Sequence, residues 1–310
     1  MNQPLLDHAS ETMRQGSKSF AAASRLFDPV TRRSALLLYT WCRHCDDVID
    51  GQVLGHDGLP PPPDEALARL EGLRVTTAAA YRGEPMSDPA FAAFQAVARE
   101  HGIEARHAFA HLDGFAMDVQ GRRYETLADT LEYCYHVAGV VGLMMARVMG
   151  VTSPAVLKRA CDLGLAFQLT NIARDIVEDA GAGRCYLPRA WLDELGIPEA
   201  DLAAPEYRPA LATLATRLVD AAEPYYASSV AGIGALPPRS AWAVATALEV
   251  YRAIGLKVRA AGPKAWDQRQ GTSKGEKLML LGRALYIAGR ARVTQHPPRP
   301  AALWTPPVGN

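Results

Sequence analysis

Acidic and amide side chains recur at helical spacing in two separate parts of the sequence. In the stretch YTWCRHCDDVID, the positions Tyr39, Arg43, Asp46 and Asp50 follow one another at steps of four, three and four residues. At about 100° per residue, positions with these spacings lie on one face of an α-helix. The stretch therefore predicts a stripe of one aromatic, one guanidinium and two carboxylate groups, with Asp47 pointing to its side.

The stretch QLTNIARDIVEDA repeats this arrangement later in the chain. The residues of its polar face are Gln168, Asn171, Asp175 and Asp179, which are spaced three, four and four positions apart. Arg174 and Glu178 lie beside this face, and leucine, isoleucine and valine occupy the positions between. Each stretch predicts a helix that is apolar on one side and lined with oxygen ligands on another. Two such helices could face each other across a cavity.

The ligand types in these two stripes indicate which cation they could hold. Oxygen ligands without histidine or cysteine favour hard cations such as Mg²⁺ or Mn²⁺ over zinc. Mg²⁺ usually takes one or two carboxylates and completes its shell with water and phosphate oxygens. Two facing stripes therefore suggest a metal-bridged diphosphate between them. A single acidic run such as DDVID is more often a solvated helix end, and the pairing of two stripes is what favours the metal.

Other motifs carry less information. Cys42 and Cys45 form a C-x-x-C without a second pair or a preceding strand, so we interpret both as small helix residues. The sequence has no G-x-G-x-x-G or Walker-type loop. The segment GAGRCYLP is either a plain connecting loop or a flap over the second stripe, with Arg184 and Tyr186 able to reach a phosphate.

Composition limits the class of protein and its partners. The chain has 310 residues, 49% of them hydrophobic, which is enough for a sizeable core. Lysine plus arginine and aspartate plus glutamate both number 33, so we expect no nucleic-acid partner. Five cysteines without regular spacing and an N-terminus without a targeting pattern indicate a cytoplasmic protein.

Apolar residues recur at helical intervals along the chain, so we expect an all-α fold. The breaks between segments are short and rich in glycine and proline, and none resembles an interdomain linker. We therefore predict one helical domain over 1–295. The tail 296–310, HPPRPAALWTPPVGN, is proline-rich and is expected to be poorly ordered.

Taken together, these motifs resemble the squalene and phytoene synthase family over nearly the whole length. The resemblance lies in GSKSF, YTWCRHCDDVID, GFAMDVQGRRYETLADTLEYCYHVAGVVG and QLTNIARDIVEDAGAGRCYLP, and more weakly in ALEVYRAIGLKV at 247–258. It implies an isoprenoid synthase fold, a single helical bundle with a central cavity. The apolar segment VAGVVGLMM would line a hydrocarbon pocket.

The resemblance also implies roles for individual residues. Metal binding would fall to Asp46, Asp50, Asn171, Asp175 and Asp179, of which the four aspartates would be catalytic. The diphosphate region would be lined by Ser17, Ser19, Tyr39, Arg43, Gln168 and Arg174. Tyr133 and Tyr251 match aromatic residues of the family's site, with Tyr133 also expected to be catalytic, and the ring faces of Tyr133 and Tyr39 could steady cationic carbons. Arg269 is a weaker match, because RQGTSKGEK departs from the family's usual basic segment.

The reaction implied by the resemblance joins two geranylgeranyl diphosphates head to head, by way of prephytoene diphosphate, to phytoene. It would need Mg²⁺ or Mn²⁺ but no NADPH, and it would begin carotenoid biosynthesis. Lipid substrates are compatible with transient peripheral membrane association and with contacts to other carotenoid enzymes. The residues alone leave open a synthase using C15 substrates, a chain-elongating prenyl synthase, a terpene cyclase, and a non-catalytic helical module that binds a lipid or a partner.

Overall fold

The computed structural model describes residues 3–16, 21, 23–52 and 61–306, and in these residues the chain is helical without β-strands. Ser17 and Ser19 lie outside the described residues. The α-helices in chain order are α1 (Gln3–Gly16), α2 (Pro29–Asp50), α3 (Pro63–Arg82), α4 (Pro89–His101), α5 (Ala105–Val119), α6 (Leu127–Cys134), α7 (Val140–Val148), α8 (Pro154–Gly181), α9 (Arg189–Leu195), α10 (Arg208–Ile233), α11 (Pro238–Ala261) and α12 (Lys274–Val293). The expected all-α isoprenoid synthase fold is confirmed.

Local signals in the sequence set the ends of the helix that carries the first stripe. The Asp28 side chain accepts hydrogen bonds from the backbone N–H groups of Val30 and Thr31, and Pro29 occupies the first turn of α2. At the other end, Gly51 adopts φ 66°, a left-handed conformation that favours glycine. The stripe therefore lies on one continuous helix that stops directly after Asp50.

Two apolar clusters form the core. In the N-terminal half, Trp41 of α2 stacks on Phe94 of α4 with ring centroids 4.1 Å apart, and Leu112 of α5 is fully buried with them. In the C-terminal half, α8, α10 and α11 pack through residues such as Leu165 and Leu214. A cavity lies between the two clusters and is lined by residues from both halves.

The helix that runs from α6 to α7 changes its winding in the middle. Residues Tyr135–Gly139 form a π-helical turn, a feature that often marks functional sites. Gly164 of α8 packs against this turn, and a Cβ added there would lie 2.4 Å from the Ala138 carbonyl oxygen. Glycine thus allows α8 to approach the π-turn closely.

The described part of the tail, 296–306, packs on the body of the protein, which differs from the expected poor order. Arg299 pairs with the fully buried carboxylate of Asp162 at 2.8 Å. Leu303 is buried, and Trp304 lies 5.9 Å from the Tyr135 ring. A charge pair and two apolar anchors thus hold a segment whose proline content suggested a loose chain. None of the described helices is long and apolar enough to cross a membrane.

Candidate active site

The two predicted stripes lie at the same end of the cavity. Tyr39 on α2 and Gln168 and Asn171 on α8 all line it. The Arg184 guanidinium, on the loop that follows α8, donates to the carboxylate of Asp50 at the end of α2. This ion pair connects the second stripe's loop to the first stripe, so the flap interpretation of GAGRCYLP agrees with the observed contacts.

Arginines hold most of the carboxylates of the two stripes. Arg43 pairs with Asp46 along α2, and its distance to Asp47 is 3.7 Å. On α8, Arg174 forms a two-point contact with Asp175, with Nε 2.8 Å from Oδ1. Within the described residues, no three carboxylate, histidine or cysteine side chains form a ready-made metal cluster.

Arg269 lies against the second stripe although its sequence context departs from the family pattern. Its guanidinium donates to Asp175 at 3.1 Å and to Glu178 at 3.0 Å. Its side chain is 57% exposed, so the contact lies at the rim of the site. The structure thus brings Arg269 together with the other predicted residues.

Burial and, after it, neighbouring negative charges raise the pKa of two aspartates of the stripes. Burial, followed by repulsion from Asp50 and Asp47, raises the pKa of Asp46 to about 6 although Arg43 opposes the shift. Burial and the charge of Asp175 raise the pKa of Asp179 to about 7. Repulsion of this kind is relieved when a cation binds.

Asn171 supplies a further sign that the site suits a cation. Its side-chain nitrogen donates to the Gln168 side-chain oxygen at 3.2 Å. Its own oxygen, Oδ1, is buried and has no hydrogen-bond partner in the described part of the chain. Buried polar atoms are normally paired, and an amide oxygen beside carboxylates is a ligand that Mg²⁺ and Mn²⁺ accept. The residues present therefore fit a hard divalent cation.

Asp118 belongs to the site and was not assigned from the sequence. It accepts hydrogen bonds from the Tyr133 and Tyr186 hydroxyls at 3.2 and 3.1 Å. Burial raises the pKa of Asp118 to about 6, with Arg184 and the two tyrosines opposing the shift. The signal was present as a single carboxylate in the apolar segment GFAMDV of α5.

Tyr133 occupies a different position from the one expected of a ring that faces a substrate cation. The Tyr186 ring stacks on it with centroids 4.4 Å apart, and Tyr124 contacts it edge-on at 5.6 Å. Burial raises the pKa of Tyr133 and Tyr186 well above the usual value, so both hydroxyls stay protonated. The Tyr133 hydroxyl thus donates to Asp118 and one face of its ring stacks on Tyr186, and Tyr133 is not among the described residues that line the cavity.

Tyr251 and Tyr39 line the cavity instead. Tyr251 of α11 stacks on Phe167 of α8 with centroids 4.3 Å apart, and both rings border the cavity. Burial raises the pKa of Tyr251 to about 12, so its hydroxyl is neutral. These rings lie between the polar end and the apolar walls.

Apolar side chains make up most of the rest of the cavity, whose volume is about 350 Å³, and Ser24, Arg159 and Ser229 are polar residues in its lining. The segment from the π-turn into α7 contributes one wall, as expected from its sequence. Further lining comes from α7, α8, α10 and α11, through Val141, Met145, Leu163, Ile233 and Ala243, and from Leu236 between α10 and α11. A long hydrocarbon chain is the kind of ligand that such walls would hold, with its polar head at the two stripes.

The other sequence candidates are structural. The five cysteines are free, and burial raises the pKa of Cys42 to about 12, so its thiol is neutral. Two histidines of α5, His107 and His111, are also buried, and burial lowers the pKa of His111 to about 4. None of these groups is placed as a nucleophile or a metal ligand.

Comparison with known proteins agrees with this geometry. Residues 13–276 match the family described as squalene/phytoene synthase. A phytoene synthase from Pseudescherichia vulneris is 64% identical, over 98% of this chain and 99% of that protein. A 15-cis-phytoene synthase from Pantoea ananas is 61% identical, over 99% of this chain and 100% of its own length. A dehydrosqualene synthase crystal structure superposes with a TM-score of 0.82 at 28% identity, over 93% of this chain and 98% of that one.

Proposed function

The chain belongs to the squalene/phytoene synthase family, and we propose that it condenses two geranylgeranyl diphosphates head to head to phytoene. It is a prenyltransferase of carotenoid biosynthesis. The observation that carries this proposal is that both stripes border one apolar cavity through Tyr39, Gln168 and Asn171, while Arg184, on the loop after α8, pairs with Asp50 of α2. Similarity to phytoene synthases along the full chain supports the C20 substrate.

We propose that Asp46, Asp50, Asn171, Asp175 and Asp179 hold Mg²⁺ or Mn²⁺. When bound there, the cation would supply Lewis-acid neutralisation of the departing diphosphate. Arg43, Arg174 and Arg269 now pair with the same carboxylates and could turn to phosphate oxygens, which guanidinium groups bind well. Gln168 and Tyr39 would complete the diphosphate side of the cavity, together with Ser17 and Ser19 outside the described residues.

The apolar walls would protect the reacting carbons. In the proposed reaction, the first chain loses its diphosphate to give an allylic cation, which the double bond of the second chain attacks. Loss of one proton then closes the cyclopropane ring of prephytoene diphosphate. A second ionisation, rearrangement and proton loss then give phytoene without a reductant. Exclusion of water by the walls keeps the cations from being quenched. The rings of Tyr39 and Tyr251, two residues that line the cavity, would steady positive carbon centres.

Both substrate and product of this reaction are lipids, so a cytoplasmic enzyme has to exchange them with a membrane. We propose peripheral, transient association with the bilayer, where other carotenoid enzymes would take up the product. This step concerns delivery and release and is independent of the chemistry in the cavity.

The test is a product analysis with purified protein. Geranylgeranyl or farnesyl diphosphate is incubated with and without Mg²⁺ and with and without NADPH, and the hydrocarbons are extracted. We expect phytoene from the C20 substrate, dependent on Mg²⁺ and indifferent to NADPH. A C30 product from farnesyl diphosphate at equal or higher rate would reassign the substrate. A cyclic product, a longer linear diphosphate or no turnover would overturn the proposed reaction.

A further inference from the structure

The last helix, α12, exposes far more apolar surface than the other described helices. Eight large apolar side chains are exposed in the described residues, and five of them belong to this one helix: Leu278, Met279, Leu285, Tyr286 and Val293. Leu278 is 73% exposed and Val293 85%. An exposed apolar patch of this kind marks an interaction surface.

Basic side chains border this patch on both sides. At about 100° per residue, Lys274 and Arg292 lie on one flank of the exposed face, and Arg283 and Arg290 lie on the other. Arg283 pairs with the buried carboxylate of Glu249 at 2.7 Å, so the positive charge of the face comes mainly from Lys274, Arg290 and Arg292. Glu276 is the acidic residue of α12, and it turns away to pair with Lys257 and to cap the helix through Ser273. The exposed face therefore combines an apolar centre with positive edges and presents no carboxylate.

The centre of the face is also flat. Gly275, Gly282 and Gly289 recur every seven residues between the apolar side chains, and a Cβ added at any of them would meet open space. The absence of side chains at these glycines thus leaves a flat surface from which the apolar side chains can insert into a fluid apolar medium.

The C-terminal end of α12 lies directly behind the apolar end of the cavity. The Arg292 guanidinium donates to the carbonyl of Leu236, and Leu236 lines the cavity. Gly234 packs so closely on Ala291 that a Cβ there would lie 2.3 Å from its carbonyl oxygen. The buried side of α12 therefore packs against the apolar end of the cavity, and the exposed face lies on the opposite side of the helix.

We propose that the exposed face of α12 docks on the surface of an anionic lipid bilayer. The apolar side chains enter the boundary between headgroups and acyl chains, and the flanking basic residues contact anionic headgroups, which is the pattern of an interfacial helix. Charge complementarity favours this occupant over a second copy of the chain. Two copies of a face that has only positive charges would repel each other when paired. The proposal gives a location to the membrane association proposed above.

Binding to vesicles tests this proposal without substrate. Full-length protein is floated with vesicles of pure phosphatidylcholine and with vesicles containing about one-third phosphatidylglycerol. We expect binding to the anionic vesicles that weakens with added salt. The double variant Leu278→Ser/Leu285→Ser should bind at least about tenfold more weakly. Lys274→Gln and Arg290→Gln should each lose about fivefold on anionic vesicles and little on neutral ones.

A matched control uses apolar side chains of similar exposure elsewhere. Leu67 and Val75 on α3 are 45% and 56% exposed. The variant Leu67→Ser/Val75→Ser should bind vesicles like the wild type. Equal losses in both double variants, or no binding by the wild type, would overturn the proposal. A change of oligomeric state in the α12 variants with unchanged vesicle binding would assign the face to a second copy. Either failure leaves the proposed reaction untouched, because no turnover is measured.

Discussion

The affinity of the site for a divalent cation should fall when the pH is lowered from about 8 to about 6. The pKa of Asp46 is raised to about 6 and that of Asp179 to about 7, mainly by burial and then by neighbouring carboxylates. Both shifts favour the protonated form, and a metal ion binds the ionised form. Protons and metal therefore compete for these two carboxylates in this range.

The expected size follows from the two pKa values. With independent titration, both groups are ionised in about nine-tenths of the molecules at pH 8 and in about one-twentieth at pH 6. The apparent affinity should therefore be about twentyfold weaker at pH 6. In Asp179→Asn only Asp46 titrates, so the same change of pH should weaken binding about twofold.

Titration with Mn²⁺, followed by the electron paramagnetic resonance of the free ion, measures this affinity directly. The full-length chain is titrated at both pH values and at one ionic strength, without substrate. An equal dissociation constant at the two pH values in the wild type would refute the reasoning. So would a pH dependence in Asp179→Asn as large as that of the wild type.

Three further predictions concern stability. Folding raises the pKa of Asp46 and Asp179, so their protonation stabilises the metal-free protein fully below the unfolded pKa of about 3.8, and this stabilisation is lost as the pH rises through 6 and 7. Mg²⁺ should therefore raise Tm more at pH 8 than at pH 6. An equal rise at the two pH values would contradict this. Arg299→Met leaves the buried Asp162 carboxylate without its guanidinium and should cost about 3–5 kcal/mol in urea denaturation; a loss below about 1 kcal/mol would show that the tail is not held by this pair. Gly142→Ala places a Cβ 2.5 Å from the Ala160 carbonyl oxygen and should lower the free energy of unfolding by about 1–3 kcal/mol. Gly72→Ala on α3 has open space around the new Cβ and should raise the free energy of unfolding by about 0.5–1 kcal/mol. Similar effects of the two substitutions would contradict the close packing of α7 on α8.

Local patterns in the sequence were sufficient for the helices and for the two stripes. The helix cap at Asp28 and the proline after it mark the start of α2, and the glycine after Asp50 marks its end. Each of these signals lies within a few residues of the helix end that it sets. The spacing of Asn171, Asp175 and Asp179 is likewise a property of one helix. Such features depend on neighbours along the chain, which a sequence displays directly.

Contacts between segments far apart in the chain cannot be predicted from such local patterns. The pairing of Arg184 with Asp50 joins residues 134 positions apart, and the hydrogen bond from Tyr186 to Asp118 spans 68. Nothing near Asp118 in the sequence specifies its partners, so the sequence predicts no role for it. The role predicted for the Tyr133 ring stays a prediction, and the stacking of Tyr186 on one face of that ring is a contact that the sequence does not display.

The tail shows how composition can mislead. Proline and small residues dominate HPPRPAALWTPPVGN and suggest a chain without order. Arg299, Leu303 and Trp304 nevertheless find a buried carboxylate and an apolar surface on the folded body. These complementary surfaces exist only after α8 and α10 have packed together.

The most direct test of the central claim is calorimetric titration of the full-length chain with inorganic diphosphate. The two stripes are proposed to bind the diphosphate jointly through a divalent cation. We expect binding in the presence of Mg²⁺ and none with a chelator. Asp46→Asn on α2 and Asp175→Asn on α8 should each weaken it at least about tenfold. Asp113→Asn, which removes a partly exposed partner of Arg74, should bind like the wild type. Binding that is independent of Mg²⁺, or that survives both variants, would contradict the claim.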